Sequence, residues 1–142
     1  MRLQSAVFCT ETALLGKADA GKVLSILKME GVWLYAVTAL SRAEAEAALR
    51  SEGLADDLRG ILTESEALCA LSDGKMYEKA MRRLRSQPRD TVVFAGRLAE
   101  LRAAKEAGMR AVAVRGAAEP EEWEAMRAEA TEAIDCYADF LA

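Results

Sequence analysis

Short apolar runs alternate with longer amphipathic segments along this chain, and this alternation limits the fold more than any other feature of the sequence. Val32–Val37 and Thr91–Phe94 consist almost only of apolar and aromatic residues, which is typical of strands buried on both faces of a parallel sheet. Leu3–Cys9, Gly60–Leu62 and Ala111–Val114 also have the length and composition of strands. We therefore predict an α/β fold with five mainly parallel strands joined by helical crossovers.

Helical segments separate the predicted strands. Asp19–Gly31 places apolar residues at helical spacing and ends at a glycine, as helices commonly do. Ser41 and Glu44 have the spacing of a capping box at the start of the next helix. Further helices are predicted over Gly74–Arg85 and Leu98–Ala107. Because no repeat, low-complexity tract or linker interrupts this pattern, we predict a single domain over residues 1–142.

The last predicted helix is amphipathic and covers residues 119–141, with Pro120 near its start. Two interpretations are open for its apolar face. The helix packs on its own sheet, which would bury Trp123 within the monomer, or it forms a homodimer whose orientation is set by the acidic outer face. The apolar positions recur at three- and four-residue spacing: Trp123, Met126, Ala130, Ala133, Tyr137 and Phe140.

The composition excludes several kinds of chemistry. The 142 residues include no histidine, which rules out Ser-His-Asp and Cys-His catalysis and zinc sites with imidazole ligands. Cys9, Cys69 and Cys136 are odd in number and lack zinc-site spacing, so no disulfide framework or metal knuckle is predicted. This cysteine usage suits a reducing compartment, and we expect a cytoplasmic protein. No segment resembles a signal peptide or a membrane span.

The charge of the chain is unevenly distributed. Residues 61–116 include 11 basic and 7 acidic residues, whereas residues 117–142 include 1 basic and 8 acidic residues. A basic block can bind an anion or a nucleic acid. Few aromatic residues are interleaved with it, however, and the whole chain has a net charge of −4. We therefore predict no nucleic-acid partner.

Four segments lie at or near the predicted ends of strands, where a parallel sheet forms its ligand crevice. Ala6–Glu11 ends the first strand, and Ala36–Thr38 ends the second and precedes a helix followed by Glu52-Gly53-Leu54. Gly74-Lys75 opens a later helix, and Asp90–Val114 spans a strand, a helix and a strand. In order and spacing, these segments resemble the four motifs of the haloacid dehalogenase (HAD) superfamily, most of whose members are phosphatases and phosphotransferases.

The resemblance covers nearly the whole chain to about residue 116. It implies a three-layer α/β/α, Rossmann-like domain with a parallel five-stranded sheet. The segment between the first two motifs is only about one helix long, so the resemblance implies a core without an inserted cap domain. The site would then be open to a macromolecular ligand or to a partner that covers it.

The resemblance also implies a mechanism, and the residues that should perform it are altered. In the family, an aspartate ending the first strand attacks phosphorus, and a second aspartate two residues later is the acid/base. Cys9 and Glu11 stand at these two positions. Cys9 is either a thiolate nucleophile or a buried small apolar residue, and Glu11 is either an acid/base or a loop carboxylate.

The remaining motifs imply the groups that hold phosphate and metal. Thr38 and Lys75 match the residues that hold the phosphate; alternatively, Thr38 caps the backbone and Lys75 is a solvated lysine. Gly96 stands where the family has a magnesium-binding carboxylate, and Glu100 is a weak candidate metal ligand. Because magnesium prefers several oxygen ligands, we expect weak magnesium binding or none.

Two functions follow from the resemblance. In the first, the chain is a catalytically impaired HAD-like protein that acts as a binding or regulatory module for a phosphorylated small molecule or a protein. In the second, it is an active phosphohydrolase that uses a variant site, and only then does it need magnesium. Loss of the nucleophile and of a metal carboxylate together favours the first function.

Overall fold

The computed structural model describes residues 3–141 as a sheet with helices on both faces. The strands are short, and in all of them except the last nearly every residue is buried. They are β1 (Ser5–Cys9), β2 (Trp33–Thr38), β3 (Gly60–Thr63), β4 (Thr91–Ala95), β5 (Arg110–Val114) and β6 (Glu132–Ile134).

Every neighbouring pair of strands in this sheet is parallel, in the order β3-β2-β1-β4-β5-β6. This arrangement confirms the predicted α/β, Rossmann-like class. The predicted number of five strands is wrong, because β6 pairs with β5 as a sixth strand. The chain leaves β1 toward β2 on one side and reaches β4 on the other, so the strand order reverses between β1 and β4. Ligands bind at such reversals, beyond the carboxyl ends of the strands.

The helices connect the strands as crossovers. They are α1 (Thr10–Ala13), α2 (Ala20–Met29), α3 (Arg42–Ser51), α4 (Glu64–Ala67), α5 (Gly74–Arg83), α6 (Leu98–Glu106), α7 (Pro120–Glu129) and α8 (Tyr137–Leu141). On one face α2 packs against β2 and α8, and on the other α5 and α6 pack together over β1, β4 and β5. The predicted capping box at the start of α3 is confirmed: Ser41 and Glu44 bond each other's backbone N–H.

The centre of the core lies between β1 and β4. Phe8 and Phe94 are neighbours in register, and their rings stack with centroids 4.6 Å apart. Phe140 of α8 meets Phe94 edge-on at 5.5 Å. Such aromatic pairs contribute about 0.5–1.5 kcal/mol each beyond the burial of their area. These contacts fix the two strands whose carboxyl ends form the candidate site.

The predicted continuous helix over residues 119–141 is wrong. The structure divides this segment into α7, β6 and α8, because Ala130 adopts an extended backbone conformation (ψ 154°). Thr131 then donates its N–H to the carbonyl of Ala111 at 2.9 Å. Pairing with β5 satisfies backbone groups that a longer helix would leave unpaired at the sheet edge. Trp123 and Met126 are buried against the protein's own core, as packing on the sheet requires.

The connection from β1 to β2 contains two helices, α1 and α2, and no other regular element. Both remain in contact with β2. Across the part of the chain that the structure describes, no helix combines the length and apolar character needed to cross a lipid bilayer.

Candidate functional site

The carboxyl ends of the strands meet at one edge of the sheet, as parallel pairing requires. Cys9 lies beside Val37, and Thr38 lies beside Thr63. A shallow crevice of about 330 Å³ opens at this edge, and three glutamates and one arginine contribute to its wall. The crevice is lined by Glu64, Leu71, Ser72, Arg97, Ala99, Glu100 and Glu122. It contains neither Cys9 nor Thr38, which lie deeper.

Cys9 ends β1 and is only 1% exposed. Its Sγ lies 3.4 Å from the hydroxyl of Tyr77, and that hydroxyl donates to the carbonyl of Leu71 at 2.7 Å. Burial raises the pKa of the Cys9 thiol well above its ordinary value, and the nearby charge of Glu100 raises it further. The thiol is therefore protonated at neutral pH, and a protonated thiol is a weak nucleophile.

Glu11 lies in the first turn of α1, two residues after β1, and faces the end of the adjacent β2. One carboxylate oxygen, Oε1, accepts from the Thr38 hydroxyl at 2.5 Å. The other, Oε2, accepts from the backbone N–H of Ala39 at 2.9 Å. The Thr38 oxygen also accepts from the N–H of Leu40 at 3.0 Å. The Glu11 carboxylate thus already accepts the hydrogen bonds of the two donors at the end of β2, the Thr38 hydroxyl and the Ala39 N–H.

Glu100 lies in the first turn of α6 and is buried. Its Oε1 accepts three hydrogen bonds, from the Thr12 hydroxyl at 2.7 Å and from the N–H groups of Gly96 and Arg97 at 3.1 and 3.2 Å. Burial raises the pKa of Glu100, although these three donors act in the opposite direction. The side chain ties α1 to the loop that follows β4.

Gly96 follows β4 and packs directly against the backbone of α1. A Cβ added at Gly96 would overlap the carbonyl oxygen, the carbonyl carbon and the Cβ of Thr12. Only glycine allows this close approach. No carboxylate can be placed at position 96 without moving α1 or the β4 loop.

These residues do not fit the magnesium ion that members of the HAD family typically use. Magnesium requires hard oxygen ligands in nearly octahedral geometry. Cys9 offers a thiol, Gly96 offers no side chain, and the Oε1 of Glu100 is already saturated by three donors. Among residues 3–141, no group of three or more Cys, Asp or Glu side chains has the arrangement of a metal site.

Lys75 and Arg97 are the two basic residues to consider for binding an anion at the candidate site. Lys75 is exposed on the first turn of α5, and its backbone N–H donates to the capping Asp73 at 2.9 Å. The Nε of Arg97 donates to Glu122 at 2.9 Å, and the same Glu122 oxygen accepts from the N–H of Leu98. The Glu122 partner raises the pKa of Arg97 and offsets part of the positive charge that would attract an anion.

The structure brings some of the predicted site residues together. Glu11 and Thr38 are in direct contact, and the charge of Glu100 acts on the Cys9 thiol. Lys75 makes no side-chain hydrogen bond or ion pair to these four within residues 3–141.

The sequence interpretation missed three residues of the site. Thr12 holds Glu100, Tyr77 covers Cys9, and Glu122 pairs with Arg97. The sequence offered one indication for Thr12, because this residue directly follows Glu11, which stands at a motif position. Tyr77 and Glu122 had none, because each reaches the site across a tertiary contact.

Several solved structures of known proteins have the same fold as this chain. The chain is similar to a structure described as a dehalogenase, with 21% identity, a TM-score of 0.75, and coverage of 87% of this chain and 54% of that one. It is similar to a putative beta-phosphoglucomutase from Thermotoga maritima, with 22% identity, a TM-score of 0.71, and coverage of 80% and 52%. A predicted phosphoglycolate phosphatase from Haemophilus somnus 129pt matches with 16% identity, a TM-score of 0.75, and coverage of 88% and 55%.

These likenesses concern the fold, and the chain spans about half the length of the solved structures it matches. No protein with a curated description matches the chain. A family model described as haloacid dehalogenase-like hydrolase matches residues 4–108, which is most of the chain and includes β1 through α6. The chain therefore belongs to the haloacid dehalogenase-like hydrolase family.

Proposed function

We propose that this chain is a catalytically impaired member of the family that acts as a binding or regulatory module. The observation that carries the proposal is the position of Glu11. Its two carboxylate oxygens take the hydrogen bonds of the Thr38 hydroxyl and the Ala39 N–H, and Thr38 matches the phosphate-holding residue of the family's second motif. A phosphate that approached these donors would have to displace Glu11 and would meet its negative charge.

The position of the nucleophile supports the same proposal. Cys9 is buried beneath Tyr77, and its pKa is raised by burial and by Glu100. An activated cysteine needs a nearby cation or helix N-terminal amides that lower its pKa. The Arg97 guanidinium already pairs through its Nε with Glu122, and this carboxylate offsets part of its positive charge. Electrostatic stabilisation of the transferring group is usually the largest catalytic contribution, and this arrangement offers little of it.

The charge of the crevice favours a protein partner over a phosphorylated metabolite. Glu64, Glu100 and Glu122 line it, and the charge of Arg97 is partly offset by its ion pair. Leu68, three residues before the lining residue Leu71, is 88% exposed and adopts a left-handed backbone conformation (φ 59°). An exposed apolar side chain three residues from the lining of an acidic crevice suits a protein surface that carries basic and apolar groups.

Three further expectations belong to this proposal. We expect a core without a cap domain, which the short connection of α1 and α2 between β1 and β2 supports, so that a partner can reach the carboxyl edge directly. The protein works in the cytoplasm, where its three free cysteines stay reduced.

A homodimer remains a prediction, and it has to use surfaces other than Trp123 and Met126, which are buried. Light scattering at two protein concentrations tests it: a mass that rises toward twice 15.4 kDa supports the dimer, and a constant monomer mass rules it out.

The alternative is a phosphohydrolase with a variant site built on Cys9, Glu11, Thr38 and Lys75. An assay with a generic aryl phosphate and magnesium separates the two functions. We expect no turnover by the wild type, by Cys9→Ala or by the matched control Cys136→Ala, whose cysteine is exposed. Turnover by the wild type that disappears in Cys9→Ala but persists in Cys136→Ala would overturn the proposal and establish the alternative.

A further inference from the structure

Four arginines at the amino edge of the sheet, where the strands begin, have no acidic partner. Arg82 and Arg83 end α5, and Arg85 and Arg89 lie in the connection from α5 to β4. All four side chains are exposed, and within residues 3–141 none of them takes part in an ion pair. Because α5 ends where β4 begins, these charges lie at the end of the sheet opposite the candidate site.

The acidic C-terminal segment offsets a different part of the basic block. Glu122 and Glu129 of α7 pair with Arg97 and Arg102 at the start and in the middle of α6. The carbonyl of Glu129 also accepts from Lys105. The contacts between these two helices therefore provide partners for the cations of α6, whereas the arginines at the end of α5 keep their charge available for another molecule.

An exposed aromatic residue lies beside these arginines. Trp33 begins β2 and is 38% exposed. The guanidinium of Arg59 lies over its ring, 4.5 Å from the centroid, a distance at which a cation is attracted to the face of an indole. Tyr35 lies two residues further along β2 and therefore faces the same side of the sheet. Its hydroxyl accepts from Nη1 of Arg83 at 3.3 Å, so β2 brings the indole close to two arginines.

The start of β1 connects two more arginines to this place. Ser5 is the register neighbour of Trp33, and its hydroxyl contacts that of Ser86, the residue after Arg85. Arg89 lies in the turn that leads into β4, the other neighbour of β1. These residues form one amino-edge surface: Trp33, Arg59, Arg83, Arg85 and Arg89.

Apolar groups accompany the positive charge of the amino-edge surface. A groove of about 310 Å³ borders Trp33, and Met29 at the end of α2 is 86% exposed. The groove is lined by Leu3, Gln4, Gly31, Trp33 and Asp90. Because Asp90 is the one acidic residue in this lining, negative groups of a ligand belong on the arginines and an apolar group belongs in the groove. A ligand for this surface therefore combines negative charge with an apolar side chain.

We propose that the amino-edge surface binds an acidic segment of a partner protein. Asp or Glu side chains of this segment pair with Arg83, Arg85 and Arg89, and an apolar or aromatic side chain packs beside Trp33 in the groove. Exposed ion pairs are individually weak and are screened by salt, so several pairs and the apolar contact act together. The surface lies opposite the candidate site, and the proposal does not rest on the function proposed above.

A protein segment fits this surface better than a nucleic acid does. Trp33 is the one exposed aromatic residue among residues 3–141, so it offers a stacking position for a single base, whereas proteins that bind single strands stack successive bases on several aromatic side chains. Met29 is flexible and apolar, which suits a side chain of a protein. The net charge of −4 also opposes the approach of a long polyanion.

Fluorescence anisotropy with a labelled peptide tests the proposal. The peptide has a central Phe between runs of Glu. The comparison probes are a peptide with Gln in place of Glu, a peptide with Ser in place of Phe, and an oligothymidylate. We expect saturable binding of the Glu–Phe peptide that weakens as the salt concentration rises, and binding at least about tenfold weaker for each comparison probe.

Two double variants with the same change of net charge locate the binding. Arg85→Glu combined with Arg89→Glu should weaken binding of the Glu–Phe peptide by at least about tenfold. Lys22→Glu combined with Arg127→Glu, which reverses two exposed cations on α2 and α7, should leave it unchanged. Trp33→Thr, which keeps a residue suited to a strand, should weaken it as well. Urea denaturation verifies that each variant is folded.

The proposal is overturned if the Glu–Phe peptide does not bind the wild type or binds the variant with Arg85→Glu and Arg89→Glu equally well. Equal binding of the Gln peptide or of the Ser peptide overturns it too, because one of the two features would then be unnecessary. An oligothymidylate that binds more tightly would identify a nucleic-acid surface instead. Light scattering that gives a mass above 15.4 kDa for the wild type and 15.4 kDa for this variant would identify a second copy of the chain as the occupant.

Discussion

The backbone of Gly96 lies against the carbonyl of Thr12, so closely that position 96 has no space for a Cβ. At position 96, where the family resemblance implies a metal-binding carboxylate, the difference is therefore more than the absence of one side chain. The loop after β4 packs against α1 so closely that no side chain fits at position 96. The Thr12 hydroxyl, on α1, also donates a hydrogen bond to Glu100 at the start of α6. A single Gly96→Asp replacement therefore cannot place a carboxylate at this position unless the backbone also moves.

Gly96→Ala should destabilise the protein by about 2 kcal/mol, the cost of forcing extra volume into a packed site. The matched control is Gly21→Ala. A Cβ at Gly21 in α2 would meet only Leu54 Cδ2 at an ordinary 3.7 Å, and alanine is the better helix former, so this variant should gain about 0.5–1 kcal/mol. Urea denaturation measures both. Equal effects of the two variants would contradict the close contact at Gly96.

Glu11→Ala should create an anion site, because it frees the Thr38 hydroxyl and the Ala39 N–H that Glu11 now occupies. We expect measurable binding of phosphate or vanadate to this variant and none to the wild type, followed by calorimetry. The same variant should lose about 1–3 kcal/mol of stability, because a buried hydroxyl loses a charged partner. Glu30→Ala, at an exposed position, is the control for net charge. Anion binding that is no stronger in Glu11→Ala than in Glu30→Ala would show that Glu11 does not block these donors.

The three cysteines should react with a thiol reagent in the order of their exposure. Cys136 is exposed, Cys69 is partly buried, and Cys9 is buried with a raised pKa. We expect Cys136 to react first in the native protein and Cys9 to react only after unfolding, since the thiolate is the reactive form. Labelling with mass spectrometry before and after addition of denaturant identifies each site. Rapid labelling of native Cys9 would instead indicate an accessible, activated thiol.

Glu100 should make the stability of the protein depend on pH. Burial raises its pKa in the folded state above the ordinary value of 4.5, so folding favours the protonated form. Its contribution is therefore fully present below about pH 4.5 and is lost as the pH rises through the folded-state pKa. Relative to Glu100→Gln, the wild type should become less stable between pH 4.5 and pH 8. Urea denaturation of both proteins across this range checks the trend, and parallel stability curves would contradict it.

Much of the fold could be predicted from sequence because its signals are local. The apolar runs of β2 and β4 and the capping box of Ser41 and Glu44 each depend on residues close in the chain. The order of the motifs also indicated the family. β6 could not be predicted in this way, because residues 121–141 contain no proline or glycine to mark a break. Pairing with the edge of β5 outweighs the helical preference of that segment.

The candidate site was predicted less completely, because its chemistry depends on contacts between distant residues. The motif positions identified Cys9, Glu11, Thr38 and Glu100, yet sequence alone left their roles open. The hydrogen bond from Thr12 to Glu100 joins residues 88 positions apart, and the contact of Cys9 with Tyr77 joins residues 68 positions apart. Neither pairing has a spacing that a sequence pattern could reveal.

The carboxylate of Glu11 has one more consequence, which concerns competition. An anionic group tethered two residues beyond β1 reaches its donors at an effective concentration of about millimolar or higher. A dissolved phosphate that binds these donors no more tightly than a carboxylate does has to exceed that concentration to occupy them. At this position the protein carries its own tethered competitor, and removing it takes either a mutation or a partner that draws Glu11 away from Thr38.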